Sequence, residues 1–287
     1  MISQFSLTEL AKQYGGDCIG SDKTFSSVSI DTRTLAPGEL FVAIKGQRFD
    51  AHDYLDKAIE KGAKGLVIEV CSRAKLSNEV IAAHELAVWL VEDGVKALGD
   101  IARYQRQLFA KPIIAVTGSS GKTTVKGMLR SIFAAFVGEH STFATRGNFN
   151  NHIGVPLSLM QLNKNHQYAV IEMGASGPNE IDYLSSITRP SVALVNNVMP
   201  AHVEGFGSID GIAKAKGEIY EGLGEAGVAV VNADDVYANQ WLLQNKHRRI
   251  IVFSVADGAK SLPESIDVFL KVSAKNIQER NLVPAVV

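Results

Sequence analysis

Two kinds of apolar pattern alternate along this chain. Short runs rich in Val, Ile, Leu and Ala are followed by longer stretches in which apolar positions recur at helical spacing. In the N-terminal part, residues 6–14 read as a short capped helix that stops at Gly15-Gly16. β-type runs follow at 24–30 and 40–44, then a helix at 53–61 ended by Gly62, then strands at 65–70 and 86–91. Residues 95–109 place Leu98, Ile101, Ala102 and Leu108 on one helical side, and Lys111-Pro112 marks a join.

After that join the alternation is more regular. Strand-like runs fall at 113–117, 168–173, 192–196, 228–232 and 250–254, with helix-like segments between them at 123–136, 179–187, 209–222 and 235–245. Short, nearly all-apolar strands separated by helices specify a parallel sheet covered on both faces. The expected architecture is α/β: a small N-terminal α/β domain over 1–93, a linker helix over 94–111, and a parallel-sheet domain over 112–287. In such sheets ligands bind outside the carboxyl ends of the strands. The chemistry-bearing residues stand at those predicted ends: the loop after Thr117, Glu172 after Val170-Ile171, and Asn196-Asn197 after Val195.

The loop is the most specific of these signals. The strand 113–117 runs into Thr117-Gly118-Ser119-Ser120-Gly121-Lys122-Thr123-Thr124 and then into a helix. Glycines let backbone N–H groups close around phosphate oxygens, and a helix N-terminus adds partial positive charge. Lys122 would reach the outer phosphates and the Thr123 hydroxyl would ligate Mg²⁺. One position departs from the general phosphate-loop pattern, because Val116 stands where an early glycine is usual.

Elsewhere the residues leave two readings open. Glu172 is a metal ligand or a solvated acid after a strand. His202, in a glycine-rich loop, is a metal ligand or an ordinary surface imidazole. Lys214 and Lys216 read, from spacing alone, as a solvated helix face. Asn148, Asn150 and Asn151, within 146–156, suit a polar ligand or a turn-rich connector. Asp31, Thr32 and Arg33, and Lys45 and Gly46 with the residues that follow them, succeed predicted strands of the first domain; their charges suit a diphosphate or simply water.

Composition narrows the class. A length of 287 residues allows about two domains, and 46% hydrophobic with 21% charged residues suits a soluble globular protein. A net charge of −1 gives no basis for expecting nucleic acid or an acidic membrane as partner. Cys18 and Cys71 fit neither a disulfide framework nor a metal spacing, so a reducing cytoplasm is expected. The N-terminus lacks the pattern of a secretory signal, and no apolar run reaches the roughly 20 residues of a membrane span.

Together these stretches resemble the Mur ligases, the ATP-dependent amide-forming enzymes of bacterial cell-wall precursor synthesis. The loop 117–124 is similar to that family's phosphate loop, which also lacks the early glycine. Within the family, the stretches 31–33 with 37–43, 45–52 and 147–156 are similar to the members that join D-alanyl-D-alanine to UDP-N-acetylmuramoyl-tripeptide. The likeness runs from the N-terminus to about residue 255.

The resemblance implies ATP and two Mg²⁺ ions as cofactors. It implies that Lys122 and the amides of 117–124 hold the phosphates, that Asn151 faces the nucleotide, and that Thr123 and Glu172 ligate Mg²⁺. His202 would help bind the second Mg²⁺, and Lys216 matches a family lysine that takes up CO₂ as a carbamate, against its reading from spacing. Asn148 and Asn150 would face substrate, with Asp31, Thr32, Arg33, Lys45 and Gly46 near the UDP. A cytoplasmic monomer is expected. Against the family pattern, the chain carries neither the later His-Asn-x-x-Asn motif nor a third domain, so the expectation is a truncated central domain with weak or no turnover of its own. A nucleotide-binding module without catalysis, or a sister ligase adding a different amino acid, are the alternatives.

Overall fold

The computed structural model describes residues 1–255 and the strand Val268–Lys271. By its internal contacts the chain divides into two units: Met1–Ala110 with His152–Lys164, and Lys111–Asn151 with Asn165–Val287.

The first unit begins with β1 (Phe5–Ser6) and α1 (Leu7–Tyr14). Ser6 caps α1 in a reciprocal capping box with Glu9, and Gly15, at φ 88°, ends it. Then come β2 (Asp17–Gly20), β3 (Thr24–Phe25), β4 (Val28–Ser29) and β5 (Leu40–Val42). The run 24–30, which reads as one strand in sequence, is thus two: β3 pairs with β1, while β4 enters a different sheet. A single turn of 3₁₀ helix at Ala51–Tyr54 precedes α2 (Leu55–Glu60), and β6 (Gly65–Glu69), α3 (Asn78–Ala83), β7 (Ala87–Val91) and α4 (Gly94–Leu108) complete the series.

The main sheet runs β2-β7-β6-β5-β4, parallel except for β2 at the edge. Its core gathers Phe41, Leu55, Leu66, Ile68 and Val88. The helix expected as a linker is α4. It buries Ala97, Leu98, Ile101 and Ala102 and belongs to this unit.

The second unit carries β8 (Ile113–Thr117), α5 (Lys122–Val137), β9 (Thr142–Ala144), β10 (Tyr168–Glu172), α7 (Glu180–Thr188), β11 (Val192–Val195), α8 (Val203–Phe206), α9 (Ile209–Gly217), β12 (Val228–Asn232), α10 (Ala238–Gln244), β13 (Arg249–Ser254) and β14 (Val268–Lys271). The helix between β9 and β10, α6 (Gly154–Met160), packs on α4 and counts to the first unit, although 112–287 reads as one domain in sequence.

The sheet of the second unit is parallel throughout, in the order β14-β13-β12-β11-β8-β10-β9. The chain leaves β8 toward β10 and β9 on one side and later returns to build β11 and its successors on the other. Strand order therefore reverses at β8, and the crevice at such a reversal, at the carboxyl end, is where open α/β sheets take ligands. Every residue of β8 is buried. Val116 packs in the cluster with Ile114, Val170 and Leu194, covered by Val125, Leu129 and Phe133 of α5. The early glycine of other phosphate loops is absent because position 116 is still sheet core.

Candidate functional site

The loop after β8 is built around two glycines. Gly121 sits at φ 73°, a left-handed conformation open to glycine, and it starts α5 with no side-chain cap. A Cβ there would meet the Asn196 amide at 2.8 Å, and one on Gly118 would meet the Asn196 Cβ at 3.0 Å. The two asparagines after β11 pin the loop. Asn197 accepts from Ser119 N–H through its carbonyl (2.9 Å) and from Ser120 N–H through its side chain (3.0 Å), while Asn196 donates to Ser120 O at 2.9 Å. Met199 and Ser119 exchange two further hydrogen bonds. With Ser119 and Ser120 engaged, the N–H groups at the start of α5, from Gly121 to Thr124, are those that lack an intrahelical partner and can receive an anion.

Lys122 curls back, donating to Gly118 O at 2.8 Å. Burial lowers its pKa, and the charge of Glu172 acts in the opposite sense. Thr117 is fully buried and donates to Met173 O at 2.8 Å, so its hydroxyl faces the interior rather than a ligand.

Glu172 ends β10, is 2% exposed, and collects a full set of donors. Asn150 Nδ2 donates to Oε1 at 2.9 Å, Lys126 Nζ lies 2.9 Å from Oε2, and the Thr123 hydroxyl stands 3.1 Å from Oε2 and 3.3 Å from Oε1. Burial disfavours its charge, but these hydrogen bonds and the Lys126 charge prevail and hold the carboxyl below the usual range. Its backbone N–H donates to Thr145 Oγ1 at 3.0 Å. Asn196-Asn197 stand, as the sequence places them, at a strand end beside the loop, whereas Lys126 and Thr145 are not marked as candidates in sequence; for Lys126 the available signal was its place one turn after Lys122 on the same helix face.

Gly118, Ser119, Lys122, Asn150, Asn151, His202 and Lys216 line one cleft of about 280 Å³. His202 is exposed and holds a left-handed φ of 57° just before α8, a conformation uncommon outside glycine that histidine adopts more readily than most side chains. Lys216, on α9, is 4% exposed, with Nζ 5.9 Å from the Phe206 ring centre. Burial, helped by the charge of Lys122, lowers its pKa to about 8. Lys214 faces solvent. Asn148 does not line this cleft; it sits in an exposed turn, where its carbonyl accepts from Asn150 N–H at 2.7 Å. Among the described residues no three His, Cys, Asp or Glu side chains cluster as a metal site. The buried carboxylate beside a hydroxyl suits Mg²⁺, a cation that prefers oxygen ligands and keeps several waters. His202 with an amine at Lys216 does not suit it; a carbamate oxygen there would.

The first unit has its own cleft, of about 480 Å³, lined by Asp31, Thr32, Arg33, Gly46, Lys57 and a set of apolar side chains that includes Phe41 and Phe49. Arg33 is held by Asp31, with Nε 2.9 Å from Oδ1 and Nη2 2.6 Å from Oδ2. That side-chain bond, with the Arg33 backbone N–H, lowers the Asp31 pKa to about 2. Lys45 is not among the lining residues; it is exposed, and its backbone forms an isolated antiparallel β-bridge with Asp50. Beneath the loop that follows, His52 is buried between Asp50 Oδ1 (2.6 Å from Nδ1) and the Glu69 N–H (3.0 Å from Nε2).

Comparison with known proteins gives concordant matches. The Mur ligase middle domain matches residues 116–281, and the catalytic domain of the Mur ligase family matches 24–106. The chain is 46% identical over 237 residues to UDP-N-acetylmuramoyl-tripeptide–D-alanyl-D-alanine ligase of Escherichia coli K12, covering 83% of this chain and 49% of that protein. With the Haemophilus influenzae ligase of the same name it shares 41% over 256 residues, covering 88% of this chain and 54% of that one. Among solved structures, MurF from Acinetobacter baumannii superposes with a TM-score of 0.78 at 36% identity, over 88% of this chain and 54% of that one. MurF from Thermotoga maritima in complex with ADP gives 0.67 at 33%, over 79% of this chain and 50% of that one. The chain spans about half the length of the curated relatives it matches.

Proposed function

The chain belongs to the Mur ligase family, and we propose that it forms the substrate- and nucleotide-handling part of an ATP-dependent ligase that joins D-alanyl-D-alanine to UDP-N-acetylmuramoyl-tripeptide. The observation that carries the reading is the convergence of Lys122, His202 and Lys216 on one cleft beside the start of α5, with Glu172 and Thr123 hydrogen-bonded next to it.

The chemistry follows from the charges. A carboxylate is a poor electrophile, and activating it brings two anions together. ATP would phosphorylate the terminal carboxylate of the tripeptide; the amine of D-alanyl-D-alanine then attacks the acyl phosphate through a tetrahedral intermediate and phosphate leaves. Lys122 and the N–H groups at the start of α5 offset phosphate charge. Thr123 and Glu172 would hold Mg²⁺, which neutralises charge on the transferring group. Asn150, by donating to Glu172, aims that carboxylate.

His202 and Lys216 would serve a second cation once Lys216 carries CO₂. A free amine is the nucleophile this addition needs, and a lysine whose pKa falls to about 8 supplies it near neutral pH. The ammonium gives up one proton to become the amine, and a second leaves as the amine nitrogen bonds to the CO₂ carbon, so a repelling cation would become a carbamate anion. In the first unit, Arg33 and Lys57 offer positive charge to the UDP diphosphate, and Phe49 and Tyr54 offer rings to its base.

The test is ADP release by this chain extended at its C-terminus to the length of its relatives. Release that requires both UDP-N-acetylmuramoyl-tripeptide and D-alanyl-D-alanine is expected; release indifferent to either partner overturns the reading. Because the chain spans half the length of its relatives, a second reading is a nucleotide-binding module without catalysis. That reading gains if the chain binds Mg²⁺·ATP but the extended protein forms no acyl phosphate in a single turnover.

A further inference from the structure

Lys126 is a buried charged side chain beside this cleft that the proposed reaction leaves without a task. Its side chain is 7% exposed, and a lysine so deep is retained only where its charge is matched. It bonds to Glu172 Oε2 at 2.9 Å and donates to Gly147 O at 3.0 Å. It therefore ties α5 to the end of β10 and to the loop that brings Asn150 onto the same carboxylate. Glu172 is fully partnered before any ligand is present: Asn150 on one oxygen, Lys126 on the other, Thr123 within reach of both. A divalent cation that comes to Glu172 has to share the carboxylate with an ammonium group already on it.

We infer that Lys126 is a positioning residue that acts as the resident counter-cation of Glu172. It holds the carboxylate beside Thr123 when no metal is bound, and it weakens the grip on a divalent cation that arrives without phosphates. Capture of the bare ion is thereby disfavoured, and nucleotide phosphates are needed to add ligands. The inference rests on the reading of Glu172 and Thr123 as Mg²⁺ ligands.

The test is Mn²⁺ binding followed by electron paramagnetic resonance, with Mn²⁺ alone and with Mn²⁺ plus ADP, on the wild-type chain, K126Q and K126R. K126Q removes the charge and keeps a hydrogen-bonding arm. It should bind bare Mn²⁺ about tenfold more tightly than wild type, as expected when a neighbouring like charge is deleted. K126R keeps the charge and should stay within about threefold of wild type. A merely structural role predicts weaker binding in both variants, and K126Q binding bare Mn²⁺ no more tightly than wild type while keeping its near-ultraviolet dichroism overturns the inference.

If K126Q does not fold, nitrogen-15 resonance of the wild-type lysine side chains decides. A protected Lys126 ammonium signal should be present without metal and shift when Mg²⁺·ADP is added. Absence of that signal, or its indifference to bound Mg²⁺·ADP, defeats the inference. Failure of the wild-type chain to bind Mn²⁺·ADP at all instead defeats the functional reading, and the inference with it.

Discussion

The two clefts of this chain handle charge in opposite ways. In the first unit, charge lies in the open: the Arg33 side chain is 82% exposed and its partner Asp31 33%. In the second, Lys126 is 7% exposed and Glu172 2%. A surface pair costs little to assemble and contributes about 0–1 kcal/mol, so it remains free to exchange its partner for a ligand. A buried pair is expensive to desolvate, and removing one member strands the other. The first cleft thus offers charges that can be redirected, whereas the second fixes them in place.

The sharpest way to break this contrast is Glu172→Ala. It leaves Lys126 buried without its partner and should cost about 3–5 kcal/mol in urea unfolding, with Mg²⁺·ATP binding abolished. A stable E172A protein would show that Lys126 finds water easily and that the second cleft is no more closed than the first.

A smaller effect isolates Lys216. Its proton is held in the unfolded chain up to the ordinary lysine pKa of 10.5 but is lost from the folded one near 8. Below about pH 8 both states are protonated and the burial penalty is complete; between the two values the folded state sheds the proton first, so stability rises with pH. Lys216→Met should therefore stabilise the chain at pH 7 by on the order of 2 kcal/mol. The advantage should shrink as pH approaches 10.5. Melting curves of both proteins across that window check it, and a constant difference would place the charge in solvent.

The least effect on stability is expected from Arg33→Ala in the open cleft, because a solvent-exposed pair adds little to the fold. UDP affinity measured calorimetrically should nevertheless fall several-fold. The variant also releases Asp31, whose carboxyl should move up from about 2 toward its ordinary value. The small stabilising share of that pair in wild type is present above the ordinary value and fades as pH drops toward 2. Unchanged UDP binding would assign Arg33 to the fold and leave Lys57 as the cation of the cleft.

The strands β8 and β12 were legible to the residue because each is a short, nearly all-apolar, β-branched-rich run of the kind that parallel sheets use. The edge strand β2 was not, since Asp17-Cys18-Ile19-Gly20 has little to bury. Nor was β9, three residues long after a single turn of 3₁₀ helix. Helix α6 was hidden by Pro156, which is tolerated because it falls in the first turn, before an intrahelical N–H is needed. At the site, the phosphate loop is local in sequence and could be read directly. The engagement of Glu172 by Lys126 and Asn150 joins positions 46 and 22 residues apart, and no spacing rule spans an ion pair made by tertiary packing. Lys216 is the converse: periodicity reads it as one of a charged face, and only its burial separates it from Lys214.

The asparagine pair after β11 has a kinetic consequence. By occupying two amides of the neighbouring loop it holds that segment in shape before any visitor arrives, so the entropy of ordering it is met during folding rather than at each encounter. Capture can then run at the pace of collision, and discrimination falls to how long a guest stays.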